Sequence, residues 1–251
     1  MSQWVIKGLG TAVKTTRYPA RPESAAGVSP GLPAGGPGGE SLVARCPTGA
    51  LRAVDAHVVV DYRRCVHCFR CIRETATPLA WREDFEWAGI GASRDRLEPL
   101  VGGFARSIHI LVMDAGDCGA CLHEVRQLNN PYYNMHRLGF FITPTPRHAD
   151  VLLVVGCGTD HLRAALEKTY RAMPTPKRVV AVGACALTGS VFGPSFVTGG
   201  GVADVIPVDV EVPGHPPPPL AILHSLLVAV GRRPPVSLVS PAAATRGEGS
   251  A

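Results

Sequence analysis

The chain has 251 residues, room for one large domain or one domain with a smaller appendage. Hydrophobic residues make up 46% and charged residues 18%, a composition that supports a buried core and excludes a disordered chain. The net charge of +5 is a mild excess without a basic stripe of interleaved aromatics, so nucleic acid is not expected as a partner. Lys7, Lys14, Arg17 and Arg21 place part of that charge at the N-terminus, where a solvated segment is a plainer reading than an acidic partner or an anionic membrane surface. Residues 1–20 lack a continuous apolar run and a twin arginine. The run Leu220 to Val230 is interrupted by His224 and Ser225 and is too short to span a bilayer. A cytoplasmic location follows as an expectation, and there eight cysteines in clustered spacings mean metal or redox chemistry rather than disulfides.

In chain order, Trp4, Val5, Ile6, Leu9 and Val13 make a weakly amphipathic segment, suited equally to docking on a partner and to packing on its own domain. Residues 25–40, rich in Gly, Pro, Ala and Ser, read as a flexible connection, so that residues 1–40 form a docking segment and linker. Residues 41–80 then hold R-C-P-T-G-A-L (Arg45 to Leu51), a β-rich run Val54 to Tyr62, and R-C-V-H-C-F-R-C-I-R (Arg64 to Arg73).

Cys65, Cys68 and Cys71 have the C-x2-C-x2-C spacing that holds three corners of an iron–sulfur cube, and Cys46 carries the following proline. Thr75 stands where this motif's own fourth cysteine would be, which leaves four cysteines, the number one 4Fe–4S cluster needs. Zinc also accepts four thiolates, but its sites usually pair C-x2-C with C-x2-C. The segment resembles bacterial-type ferredoxins reduced to a single cluster.

Residues 81–104 form a connector whose Trp81, Phe85, Trp87 and Phe104 are expected to pack the two halves together. From Ser107 strand and helix patterns alternate. Ile108 to Met113, Val151 to Val155, Val179 to Val182 and Val205 to Val210 read as buried strands. Leu122 to Leu128 and Leu162 to Tyr170 read as helices, the second capped by Thr159 and followed by Pro174. The last helix follows Pro216 to Pro219, runs through Leu220, Leu223, Leu227 and Val230, and stops at Gly231. The alternation predicts an α/β fold, a doubly wound, flavodoxin-like parallel sheet over residues 105–233, with the small ferredoxin-like segment ahead of it. Residues 234–251 read as a disordered tail.

Every candidate ligand of this half follows a predicted strand: Cys118 and Cys121 the first, Cys157 the second, Cys185 the third and His215 the fourth. Parallel strands end on one edge, so these residues gather at one site. Cys118 and Cys121, in D-A-G-D-C-G-A-C-L-H-E, open a helix whose N–H groups and dipole favour thiolate. Three chemistries suit them: thiol exchange, structural zinc, or a second iron–sulfur cluster. The upstream cluster motif favours the last, because electron-transfer centres work in chains. Gly199 to Gly201 read as a turn, without a Walker lysine or G-x-G-x-x-G, and His67, His123, His136 and His148 as surface or supporting residues.

The stretches D-C-G-A-C-L-H-E-V, N-P-Y-Y-N-M-H-R-L-G, P-R-H-A-D-V-L-L-V-V-G, V-V-A-V-G-A-C-A-L-T-G and V-I-P-V-D-V-E-V-P-G-H-P-P-P-P carry a closer resemblance. Residues 105–231 resemble the iron–sulfur small subunit of membrane-bound, energy-converting, formate hydrogenlyase-like NiFe hydrogenases, related to a subunit of respiratory complex I. The resemblance implies an electron-transfer subunit with two 4Fe–4S clusters, peripheral on the cytoplasmic face of the membrane. Its partners would be a large catalytic subunit and, indirectly, the membrane subunits of the complex. By motif it implies Cys118, Cys121, Cys185 and the position of His215 as ligands of the second cluster, with Cys157 as a candidate replacement for the cysteine that His215 displaces. It also implies that Glu124, placed among the cofactor-binding residues, faces the large subunit. The spaced pair Cys118 and Cys121 resembles the hydrogenase branch, since adjacent cysteines are expected in the complex I subunit.

Overall fold

The computed structural model describes residues 2–240 except 12, 24, 26, 74, 77, 92, 93, 95 and 98–105, so Phe104 and the end of the expected tail lie outside the described residues. The first helix, α1 (Gln3–Thr11), buries none of its side chains. Beyond it the chain docks on its own domain, with the Tyr18 hydroxyl donating to Glu86 at 2.7 Å.

The stretch read as a flexible connection holds two short strands, β1 (Leu32–Pro33) and β2 (Gly36–Pro37). Gly31 explains how it packs: at φ 79°, a Cβ there would sit 2.4 Å from the Arg82 carbonyl oxygen. A short helix α2 (Glu40–Val43) leads to β3 (Leu51–Val54) and β4 (His57–Val60). β2, β4 and β3 form a three-stranded antiparallel sheet behind the first cysteine motif. The connector is likewise built into the fold. β5 (Trp81–Arg82) pairs with β1, and β6 (Gly89–Ile90) edges the main sheet.

That main sheet contains β7 (Ile108–Asp114), β8 (Phe140–Ile142), β9 (Val151–Val155), β10 (Arg178–Val182) and β11 (Val210–Val212). Its order is β6-β11-β10-β9-β7-β8, parallel throughout except for β6. The second parallel strand, β8, lies outside the first and the third lies on its other side. This is the flavodoxin-like order, with its topological switch point between β7 and β9. Helices α3 (Ala120–Gln127), α4 (Asp160–Ala172), α5 (Ala184–Thr188) and α6 (Pro219–Ala229) cover both faces.

Alternation along the strands divides the core. Val151, Leu153 and Val155 pack with α3 and α6, while Leu152 and Val154 pack with α4 and α5. Every residue of α6 is buried, in keeping with a sequence that is apolar on all sides.

Two boundaries differ most from expectation. The fourth strand begins at Val210, not Val205. Val202–Asp204 form a 3-10 turn, Val205 is right-handed, and Pro207 has no N–H to give a ladder, so extended pairing starts later. Residues 236–240, read as disordered, run beside β4 and β6 instead. Val236 N–H bonds Ala88, Tyr62 N–H bonds Leu238, and Ser240 exchanges two bonds with Val60. Burial of Leu238 gives this short segment an apolar anchor that its Pro- and Ser-rich composition conceals.

Candidate metal centres

The first set is Cys46, Cys65, Cys68 and Cys71, all free thiols. They line one cavity with Thr48, His67, Phe69 and Trp81. Cys46 comes from the turn after α2, and the other three from the loop after a 3-10 turn that Asp61 caps through the Arg63 N–H. Within that loop His67 and Phe69 take positive φ values of 53° and 62°. Such turns aim successive N–H groups inward and make a concavity suited to anions. Ala50 N–H donates to the Cys46 sulfur at 3.2 Å. Burial pushes the Cys65 thiol up to about 12 and raises Cys71 as well. Metal ligation at such thiols removes the proton and supplies the balancing charge.

The second set lies at the C-terminal edge of the main sheet. Asp114 Oδ1 accepts from Gly116 and Asp117 N–H at 2.8 and 2.7 Å, which closes the turn after β7. Asp117 Oδ2 accepts from Gly119 and Leu122 N–H at 3.0 and 3.1 Å, bracing the entry to α3. Directly after the second carboxylate Cys118 is exposed, and Cys121 is buried in the first turn of α3. Cys157 follows β9 and Cys185 opens α5 after β10. Both are 8% exposed.

Burial raises the pKa of Cys121, Cys157 and Cys185, and the Asp117 carboxylate adds to the rise in each. At Cys121 burial thus opposes the thiolate that the helix N-terminus favours. Cys185 further feels Cys118 and Cys157, and Cys121 feels Cys185 and Cys118. Gly183 makes the approach possible, because a Cβ there would lie 2.5 Å from the Cys121 sulfur.

The donor chemistry of both sets fits iron–sulfur clusters, which take four cysteine thiolates. Among the described residues no three Cys, His, Asp or Glu side chains converge on a single-ion site, the closed arrangement that structural zinc uses.

His215 follows β11 at the same sheet edge, where the neighbouring Gly214 carbonyl accepts from Ala184 N–H at 2.8 Å. It is exposed and lines a groove with His67, Phe69, Trp81, Glu124 and Tyr133. His67 has its pKa lowered to about 4 by burial and then by His215. Glu124 lies beyond the first turn of α3, and burial raises its pKa. The connector joins the sets: the Trp87 ring lies 5.9 Å from that of His67, and its indole N–H donates to Pro213 at 2.7 Å. Asp114 and Asp117 escaped the sequence reading, although two carboxylates shortly before a cysteine and a helix carry the signature of turn and cap.

The family model described as NADH ubiquinone oxidoreductase, 20 Kd subunit, matches residues 118–229. An uncharacterized protein of Methanocaldococcus jannaschii is 44% identical over 122 residues, 49% of this chain and 82% of that protein. A probable membrane-bound hydrogenase subunit of Pyrococcus furiosus is 39% identical over 135 residues, 54% of this chain and 81% of its own length. Formate hydrogenlyase subunit 7 of Escherichia coli is 35% identical over 132 residues, covering 53% of this chain and 52% of that subunit. On these similarities the chain belongs to the NADH-ubiquinone oxidoreductase 20 kDa subunit and hydrogenase small subunit family.

Proposed function

We propose that the chain is an electron-transfer subunit of a hydrogenase- or complex I-like oxidoreductase. In this reading Cys46, Cys65, Cys68 and Cys71 hold one 4Fe–4S cluster, and Cys118, Cys121, Cys185 and one further donor hold a second. Bound clusters supply one-electron transfer, and the chain's own residues set where and at what potential. The observation that carries the reading is the presence of two separate thiol sets in one folded unit, bridged by His67, Trp87 and the loop of His215.

Each set does part of the work of tuning. Ala50 N–H donates to sulfur in the first, and Asp117 places a carboxylate beside the second. Burial of Cys121, Cys157 and Cys185 limits water there, whereas exposed Cys118 and half-buried Glu124 present that edge to a partner. That partner is a large catalytic subunit, as the hydrogenase names of the relatives suggest. Among the described residues no helix is long and apolar enough to cross a membrane. Attachment to the cytoplasmic face would then run through the other subunits.

A scaffold that binds the large subunit without a working second cluster is the reading to separate from this one. Iron and acid-labile sulfide counted after anaerobic purification separate them: about eight irons per chain support the relay, and about four support the scaffold. A thiol–disulfide exchanger using Cys118 and Cys121 would reduce insulin disulfides without metal, but burial raising the Cys121 pKa works against it.

A further inference from the structure

The sheet edge offers two residues for the fourth donor of the second set, one in the loop after β9 and one in the loop after β11. We infer that Cys157, not His215, completes the donor set with Cys118, Cys121 and Cys185, and that His215 belongs to the junction between the two cysteine motifs. The inference rests on the two-cluster reading above.

Strand order places Cys157 first. β7 and β9 are paired neighbours, with Asp114 opposite Val155, and the switch point opens between their C-terminal ends. The loops that leave them are zipped together beyond the sheet. Gly158 and Thr159 N–H groups donate to the Ala115 carbonyl at 2.9 and 3.0 Å, and Cys157 N–H reaches Gly116 at 3.4 Å. The Cys157 thiol itself donates to the Gly116 carbonyl at 3.5 Å, two residues before Cys118. Gly156 permits this contact. It has φ 90°, and a Cβ there would meet the Asp117 nitrogen and the Gly116 carbonyl carbon, each at 2.5 Å.

The surroundings agree. Cys118 and Cys157 are both neighbours of Cys185, and Asp117 neighbours Cys121, Cys157 and Cys185 alike. Cys157 and Cys185 are equally buried. His215 has a different company: its loop touches the cysteine edge through its backbone, where Ala184 N–H bonds Gly214. Its exposed side chain shares a groove with His67 and Phe69 of the ferredoxin-like segment, Trp81 of the connector, and Glu124 and Tyr133. On ligation to supplied iron and sulfide, each of the four thiols loses its proton to solvent and forms one iron–sulfur bond. The Cys157 hydrogen bond to Gly116 is exchanged for that bond.

The test uses the full chain, purified anaerobically and reduced, with histidine labelled by nitrogen-15. Pulsed EPR of the unaltered chain is expected to show no directly bonded nitrogen on the second cluster's signal. His215→Ala should keep about eight irons and both signals. Cys157→Ala should lose the second signal and one to about four irons, and Cys157→Ser should shift that signal or lose it. A directly bonded nitrogen coupling overturns the inference, and so does an unchanged second signal in both Cys157 variants. The nitrogen measurement needs no variant, so misfolding of Cys157→Ala leaves it standing. An unaltered chain with about four irons and one signal would instead overturn the two-cluster reading itself.

Discussion

Arg63 Nε lies 2.6 Å from Glu211 Oε2, and this ion pair ties the loop entering the first cysteine motif to the strand that leads to His215. Glu211 is almost wholly buried (3%), while the Arg63 side chain is 27% exposed. The asymmetry sets the outcome of mutation. Arg63→Ala withdraws this cation from a buried carboxylate and is expected to cost about 1 kcal/mol more than Glu211→Ala, which leaves an arginine that reaches water. Urea denaturation of both variants checks the order. Equal or reversed losses would remove the pair from its place at the junction.

Asp117 makes a separate prediction about potential. Its carboxylate neighbours Cys121, Cys157 and Cys185 and also accepts the N–H groups of Gly119 and Leu122. Asp117→Asn keeps an oxygen for the cap and removes the charge. Reduction adds negative charge to the site, so losing a nearby anion favours the reduced form and raises the midpoint potential by tens of millivolts. Redox titration followed by EPR reads the shift. The first set lies elsewhere and should keep its potential.

Stability should fall in mild acid because of His224. This side chain is 2% exposed and its Nδ1 accepts from Ala88 N–H at 3.2 Å. Burial lowers its pKa from 6.5 to about 4. Between those values the unfolded chain holds a proton that the folded chain does not, so stability declines as the pH falls through that window. The loss reaches roughly 3 kcal/mol for this group and vanishes above about pH 7.5. Denaturant midpoints at pH 7.5, 6 and 5 for the native chain and for His224→Gln check this, and the variant should show the flatter profile.

Much of the fold, and the placing of Cys118, Cys121, Cys157 and Cys185 after strands of one sheet, was legible in the sequence because both depend on local pattern. Apolar runs such as Val151–Val155 mark buried parallel strands, and each cysteine of the second set follows one of them. What escaped depends on contacts between distant residues. β1, β2, β5 and β6 are two residues long and exist through pairing partners rather than through propensity. Residues 236–240 are ordered by Val60, Tyr62 and Ala88, far away in sequence. The burial that raises the Cys121 pKa is a property no spacing reveals. Likewise, the loop position of His215 is visible in sequence, but the groove its side chain lines with His67 is not.

The central claim, that one chain carries two separate clusters, is tested most directly by low-temperature EPR of the reduced protein and of Cys118→Ala. The native chain is predicted to show two signals and about eight irons, and the variant to keep the first signal while the second is lost. Cys118 is exposed, so its removal leaves the core intact. Retention of both signals at full iron content in Cys118→Ala would contradict the account.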